Sequence, residues 1–277
     1  MGRYNTQVVY TDGTAHTQWT CQQTSLQTQG TCVLQLTGGL GGTGTCGPGS
    51  GVSCQWNVPA GVSSVVIEIW GGGGGGGSAV MCQCDTIGNG GGGGAYARKT
   101  LAVTAGTCYT ICVGAGGAGG GLGTLLSNAT SATCCCGASG GTTYITGTGL
   151  ANLCAEGGYG GESRISSMTT VSPNGGWAGT GGDVNVRGSD GGSYNDTYLN
   201  RYTWGGSSPF GGRNIYLAYD CASKYQDLCC TGRAGGICGY YGVFPGGGGT
   251  GGFASCCCIG IAPCGGNGAP GAIRIWM

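Results

Sequence analysis

Residues 57–120 read NVPAGVSSVVIEIWGGGGGGGSAVMCQCDTIGNGGGGGAYARKTLAVTAGTCYTICVGAGGAGG. The segment SVVIEIW alternates with a period of two, which places Val65, Ile67 and Ile69 on one face and Val66, Glu68 and Trp70 on the other. It runs without a break into the seven glycines of 71–77. A second glycine run, 90–94, leads into YARKTLAVTAGTCYTICV, and a third begins at Gly114. Ordinary strand alternating with near-pure glycine is the make-up of a structural or adhesive protein rather than a soluble enzyme.

Glycine supplies 70 of the 277 residues, and charged residues only 7% against a usual share of about 25%. Ten basic and ten acidic side chains cancel, so no electrostatic case exists for nucleic acid or an anionic membrane as partner. A nearly uncharged surface favours association, and a homo-oligomer within a larger assembly is expected. Low charge with much glycine could also mean disorder. The strand segments, the six Trp and fourteen Tyr, and the 20 Cys argue for order. Collagen requires glycine at every third position and abundant proline, whereas these runs are contiguous and proline totals seven. Contiguous glycine suits polyglycine-II-type helical tracts packed side by side, each taking its hydrogen bonds from its neighbours. The expected fold is therefore all-β: a glycine-rich β-sandwich-like domain with polyglycine-II-type tracts, long loops and essentially no α-helix.

Working outward, residues 1–55 form a more polar β segment suited to docking or to the first layer of the main sheet. Gln7-Val8-Val9-Tyr10, the turn Asp12-Gly13 and His16-Thr17-Gln18-Trp19-Thr20 read as a hairpin, and residues 31–36 as a strand. MGRYNTQVVY has no charged region followed by an apolar one, so no secretion signal is expected. Its first six residues fit the myristoylation pattern, a match that short segments produce by chance. Residues 56–277 form the glycine-rich β domain. Within it, 97–103 and 108–113 read as a hairpin closed by the turn 104–107, with shorter strands at 142–146 and 153–156. The closing Ile273-Arg274-Ile275-Trp276 repeats the pattern of Ile67-Glu68-Ile69-Trp70 with the charge reversed. The last strand is accordingly expected beside 64–70, with Glu68 opposite Arg274, a pair worth about 0.2–1 kcal/mol. Residues 157–245 hold more than half of the aromatics between Gly, Ser, Asn and Asp. They suit a recognition surface carried by Trp177, Tyr194, Tyr198, Trp204, Tyr240 and Tyr241, or equally rings that plug the spaces between glycine helices.

Candidate chemistry is sparse. Gly114-Ala115-Gly116-Gly117-Ala118-Gly119 satisfies GxGxxG after a strand, but the helix and the acid about 20 residues on that a dinucleotide site needs do not follow. His16 is the one histidine, and Asp12, Glu68, Asp85, Glu156, Asp183, Asp190 and Asp196 are scattered. No catalytic residue, cofactor or metal is expected. The cysteines cluster as Cys82/Cys84, Cys108/Cys112, Cys134/Cys135/Cys136, Cys229/Cys230 with Cys238, and Cys256/Cys257/Cys258 with Cys264. No CxxC occurs, which weakens zinc-knuckle and redox readings. Cys108 and Cys112 share a strand face about 13 Å apart at ~3.3 Å per residue, too far to bond each other. Disulfides between clusters lead, beside buried free thiols and thiolate metal sites.

Three blocks carry a resemblance. W-x-V-P-x-G-V-x-x-V-x-I-x-x-W-G-G-G-G begins at Trp56. G-G-G-G-A-Y-A-R-K-T-L-x-V-T-x-G-x-x-Y-T-I-x-V-G-x-G-G follows from Gly91, and G-x-x-G-A-P-G-A-I-R-I-W from Gly265. Together they resemble glycine-rich tail-fibre and virion structural proteins of tailed bacteriophages, in a cysteine-rich version similar to those of marine cyanophages. The resemblance covers 56–136 and the last dozen residues. It implies a non-enzymatic protein on the outside of a virion, made in the host cytoplasm and extracellular after release. Its partners would be other virion proteins and a host-surface glycan or protein. A capsid or tail decoration (cement) protein is the alternative.

Overall fold

In a computed structural model the chain is described at residues 32–37, 51–79, 86–121, 136–163, 174–195, 200–212, 215–219, 236–254 and 264–277. Among these residues there is no helix, and the strand pairings are antiparallel. The hairpin expected within residues 7–20 lies outside them.

Two sheets form a sandwich. The first has the order β1 (Cys32–Thr37), β15 (Ala272–Trp276), β3 (Ser64–Trp70), β5 (Tyr96–Ala102) and β9 (Val184–Val186). The second has the order β2 (Gly51–Asn57), β6 (Cys108–Gly114), β7 (Thr143–Gly147) and β8 (Leu150–Ala155). Alternation in β3 works as expected: Val65, Ile67 and Ile69 are buried in one cluster with Ile273 and Ile275 of the first sheet. The second sheet contributes Trp56, Tyr109, Ile111, Val113, Ile145 and Leu153 to that cluster. Two small sheets stand apart: β10 (Gly192–Asn195), β11 (Asn200–Trp204) and β12 (Ile215–Tyr219); and β13 (Gly236–Ile237), β14 (Phe253–Ala254) and β4 (Thr86–Ile87).

The last strand lies beside β3 with Arg274 directly opposite Glu68, in the expected register. Their side chains turn elsewhere. Glu68 accepts from Tyr96 Oη at 2.8 Å and from Trp276 Nε1 at 2.7 Å. The Arg274 guanidinium stands 5.3 Å over the Trp70 ring, an arrangement that keeps a cation against an aromatic face. The expected hairpin of 97–103 with 108–113 is corrected. β5 pairs with β3 and β9, whereas β6 pairs with β2 and β7. The turn is present, with Thr107 N donating to Thr104 O at 3.0 Å, but it carries the chain from one sheet to the other. Ala97 and Leu101 face Tyr109, Ile111 and Val113 across one core, which burial favours over pairing edge to edge.

At Trp70 the chain leaves β3 for tract 71–77, and the hydrogen bonding changes period. Gly71, Gly74 and Gly77 donate to Ala95, Gly92 and Asn89; Gly72 and Gly75 donate to Gly141 and Ala138; Gly73 and Gly76 donate to Ala269 and Gly266. All seven bonds are 2.8–2.9 Å long. In return Gly158 and Gly161 donate to Gly72 and Gly75, Gly117 and Gly120 to Gly73 and Gly76, and Gly249 and Gly252 to Gly74 and Gly77. Tract 71–77 thus has six neighbours: 88–95, 137–141 and 265–270 antiparallel to it, and 156–162, 115–120 and 246–252 parallel. The hydrogen-bond repeat is three residues, where a strand has two.

Tract 88–95 has a ring of its own. It donates to 156–162, 246–252 and 188–192 (Asn89 to Glu162, Gly91 to Gly249, Gly93 to Ser189) and accepts from 71–77, 174–177 and 205–208. The sandwich and the bundle share a joint at Thr143, whose buried Oγ1 donates to Trp70 O at 2.6 Å and accepts from Gly114 N at 3.0 Å.

Close approach dictates glycine here. A Cβ on any residue of 71–77 would fall under 3.0 Å from the backbone of a neighbouring tract, a separation real Cβ atoms essentially never show. Gly71, Gly74 and Gly77 would strike the carbonyls of Glu156, Tyr159 and Glu162. A tract at the edge of the bundle has an open side, and in 156–162 every third residue carries a side chain. Tract 156–162 reads Glu-Gly-Gly-Tyr-Gly-Gly-Glu, with Tyr159 and Glu162 exposed and Gly157, Gly158 and Gly161 buried.

Three alanine substitutions should therefore rank steeply in denaturant-unfolding midpoint. Gly74→Ala costs about 3 kcal/mol or more through forced displacement of a packed backbone. Gly149→Ala, with φ +75° and open space around it, costs about 1 kcal/mol for the left-handed backbone alone. Gly121→Ala, exposed and with nothing within 4 Å, changes stability by less than about 0.5 kcal/mol. Equal stability of the Gly74 and Gly121 variants would disprove the close-packing account.

Candidate functional site

The aromatic residues singled out in the sequence fall into separate groups on the bundle. Trp177 closes tract 174–177, in which Gly176 N donates to Gly93 O, close to the sandwich. Its backbone amide donates to Glu156 Oε2 at 3.1 Å, and the Arg187 guanidinium lies 5.3 Å over its ring. Arg187 is held in turn by Asp190 at 2.6 Å. On the same edge Tyr159 Oη donates to Glu156 Oε1 at 3.3 Å.

Tyr194 lies in β10 and Trp204 in β11, at the other end of tract 88–95. They are joined through Tyr202, with ring centroids 5.0 Å and 5.6 Å apart. The β10–β11 register sets Tyr194 opposite Tyr202, so the stack follows from strand pairing. Tyr240 and Tyr241 belong to tract 239–242, which bonds to 246–252 and 264–267. That side of tract 71–77 is opposite the one occupied by 156–162 and 174–177. Tyr198 lies outside the described residues.

Exposure is high on both sides: Trp177 56%, Tyr240 54%, Tyr241 62%. Sequence reasoning passed over a more exposed ring, Phe210 at 81%. Phe210 takes φ 61°, a region that bulky residues rarely occupy. Its ring meets Tyr96 edge-on at 5.1 Å, and Tyr96 meets Trp70 at 5.1 Å. The loop is tied down where Trp70 Nε1 donates to Pro209 O at 2.8 Å. Burial, with help from the Glu68 hydrogen bond and charge, pushes the Tyr96 phenol well above the usual tyrosine range. Only a signal for the loop's position, the Ser-Ser-Pro-Phe-Gly-Gly run, was available in sequence.

Several amides in and next to the GxGxxG segment are already engaged. Gly117 and Gly120 donate to Gly73 and Gly76, Gly114 to Thr143 Oγ1, and Gly119 to Asn267 Oδ1. Glu68, Glu156, Asp183 and Asp190 each accept hydrogen bonds without a second carboxylate beside them. Asp183 accepts from Thr100 N at 2.8 Å and Lys99 Nζ at 3.4 Å. The Thr100 amide, then Lys99, holds its carboxyl below the usual range. Asp190 accepts from Gly175 N at 2.8 Å. Among the described residues no three His, Cys, Asp or Glu side chains stand close enough to hold a metal ion. His16, Asp12, Asp85 and Asp196 lie outside them.

The cysteines divide. Cys238 and Cys264 form a disulfide, Cα atoms 4.7 Å apart and 26 residues apart in sequence. It joins the starts of two adjacent tracts, where Gly239 N also donates to Cys264 O. Cys112 is disulfide-bonded. Cys108 and Cys136 carry free, exposed thiols, and Cys154 a half-buried one. Burial, with the Glu156 charge adding to it, pushes the Cys154 thiol up. Cys82, Cys84, Cys134, Cys135, Cys229, Cys230, Cys256, Cys257 and Cys258 lie outside the described residues.

A family model described as a glycine-rich domain matches residues 48–276, and the chain belongs to that family. No curated protein matches it.

Two measurements bear on these groups. Replacing Cys238 by Ser should lower unfolding free energy by about 3 kcal/mol, the loop-closure entropy of a bridge of this span; an unchanged midpoint would show that the staple contributes nothing. The raised Tyr96 phenol favours the folded state only while it is neutral. Its contribution is complete below the ordinary tyrosine value near 10 and is lost as pH rises above it. Tyr96→Phe should flatten the fall in stability above about pH 10, read from midpoints between pH 8 and 11.

Proposed function

We propose that this member of the glycine-rich domain family is a non-enzymatic structural protein on the surface of a tailed-phage particle. It serves there as an appendage or fibre component that touches the host envelope. The observation that carries the reading is the exposure of Trp177, Tyr240 and Tyr241 on tracts whose backbones are fixed on several sides. Rings held in this way present contact area at little further entropy cost on binding. The block order that resembles tail-fibre proteins points the same way. The non-catalytic side of the proposal draws on the carboxylates. Glu68, Glu156, Asp183 and Asp190 each accept bonds that fix a ring, an amide or a cation, and none is paired with another carboxylate.

A decoration protein that stiffens the capsid or tail is the second reading. It draws on the Tyr194–Tyr202–Trp204 stack, in which rings pack on one another rather than standing apart.

Particles assembled with the Tyr240→Ala/Tyr241→Ala chain separate the two. The proposal expects the chain to be recovered from purified particles in normal amount, with adsorption to host cells reduced at least tenfold. Unchanged adsorption together with lowered heat resistance of the particles would favour decoration. Absence of the chain from washed particles would contradict both.

A further inference from the structure

The outer face of the first sheet carries charge that the fold does not neutralise. The registers of β15, β3 and β5 set Arg274, Glu68 and Arg98 in one row across three strands, on the face away from the core. Glu68 stands between the two guanidinium-bearing residues and bonds to neither. Its Oε1 accepts from Tyr96 Oη and its Oε2 from Trp276 Nε1. Among the described residues Lys99 and Arg187 form ion pairs, with Asp183 and Asp190. Arg98 and Arg274 form none, and the Nε–H of Arg274 is buried without an acceptor. Two cations and one carboxylate leave the row net positive.

Aromatic rings border the row on both sides. On the side toward the bundle Trp70 is opposite Tyr96, and the two are buried in a cluster apart from the main core. The exposed Phe210 ring closes on Tyr96. On the other side Trp276 is half-buried opposite Val66. The Trp70 ring lies 5.3 Å from the Arg274 guanidinium and fixes that cation without neutralising it. Arg98 is exposed, and its charge is felt at the Tyr96 phenol, where it opposes the upward shift. The two arginines are two strands apart, about 10 Å between Cα atoms at ~4.8 Å per strand, so one ligand can reach both.

We propose that this face binds an acidic saccharide, with its carboxylate or phosphate held by Arg98 and Arg274 and its sugar ring against the bordering aromatics. The planar guanidinium fork matches carboxylate and phosphate oxygens, and an aromatic face receives the C–H side of a sugar ring. A neutral sugar would leave both cations without a counter-charge. An acidic peptide suits the face less well. β15, β3 and β5 are inner strands of the sheet, so they offer no free edge for an extended chain to pair with. Basic and acidic residues cancel over the whole chain, so the attraction is local rather than a field that would gather nucleic acid. That the sugar belongs to a host envelope rests on the function proposed above; the site rests on the row and its rings.

The purified full chain is titrated with a galacturonic-acid trisaccharide, a phosphorylated mannose trisaccharide, maltotriose and a tetraglutamate peptide. Backbone and arginine Nε–H signals are followed by nuclear magnetic resonance. One of the acidic saccharides is expected to bind about tenfold more tightly than maltotriose, the scale of one charge-assisted hydrogen bond. It should move the signals of Glu68, Arg98 and Arg274, and its binding should weaken as salt rises from about 20 to about 300 mM. Which of the two binds better separates carboxylate from phosphate as the recognised group. Arg98→Gln/Arg274→Gln should lose the preference for acid, and Arg98→Lys/Arg274→Lys should keep part of it. Equal binding of acidic and neutral sugars, shifts confined to other faces, or tetraglutamate binding as tightly as the acidic saccharides would overturn the proposal. Should the glutamine pair fail to fold, Arg98→Gln alone, at an exposed position, is read by the same criterion. Particles carrying the glutamine pair test the source of the sugar separately. Loss of probe binding by that chain with normal adsorption of its particles would uphold the saccharide site and count against its part in host attachment.

Discussion

The hydrogen bond from a glycine amide to the carbonyl of a neighbouring tract is the interaction on which the structure depends. Its geometry excludes side chains wherever a tract is enclosed, because each Cβ direction in 71–77 is occupied by another backbone. Glycine brings a cost with it: ordering a residue takes about 1–2 kcal/mol, and glycine is at the expensive end. A net backbone hydrogen bond returns about 0.5–1.5 kcal/mol. A bundle of glycine tracts alone is therefore close to break-even or below it.

The β-sandwich offsets the difference by anchoring tract ends to a buried core. Tract 71–77 continues β3, 88–95 leads into β5, 115–120 leaves β6, 137–141 enters β7, 156–162 leaves β8 and 265–270 enters β15. The chain passes directly from strand to tract at each of these points, and Thr143 spans the junction. The Cys238–Cys264 bridge closes two tract ends remote from the sandwich. Hydrophobic burial at one end and a covalent staple at the other thus hold a middle section that has almost no side chains.

Much of this was legible in sequence where a side-chain pattern reports a face. The alternation of SVVIEIW marks β3, and the charge-reversed repeat in Ile273-Arg274-Ile275-Trp276 marks its neighbour to the residue. What alternation cannot report is which sheet a strand joins. Residues 97–103 and 108–113 have the pattern and the short turn of a hairpin, yet the turn crosses the core because both strands have an apolar face to bury there. The Glu-Gly-Gly-Tyr-Gly-Gly-Glu run was visible too, and its period of three marks an edge tract. The side-chain oxygens that bond between tracts were not legible, since Ser139 and Gly160, or Gly119 and Asn267, meet only after the tracts have been placed side by side. Phe210 escaped notice for the same reason: its exposure depends on a loop fastened by Trp70 and Tyr96 from distant strands.

This architecture separates support from display. In 71–77 no position has room for a Cβ, while in the edge tract 156–162 every third residue carries a side chain that faces water. Tyr159 and Trp177 occupy such places, three residues on from Glu156 and Asn174 in their tracts. Backbone amide hydrogen exchange resolved to single glycines tests the central claim most directly. Burial and bonding on six sides predict that the amides of 71–77 and 90–94 are among the slowest in the chain, as slow as those of β3 and β6. Exchange of these glycines at the rate of an unstructured chain, while the strands stay protected, would contradict the account.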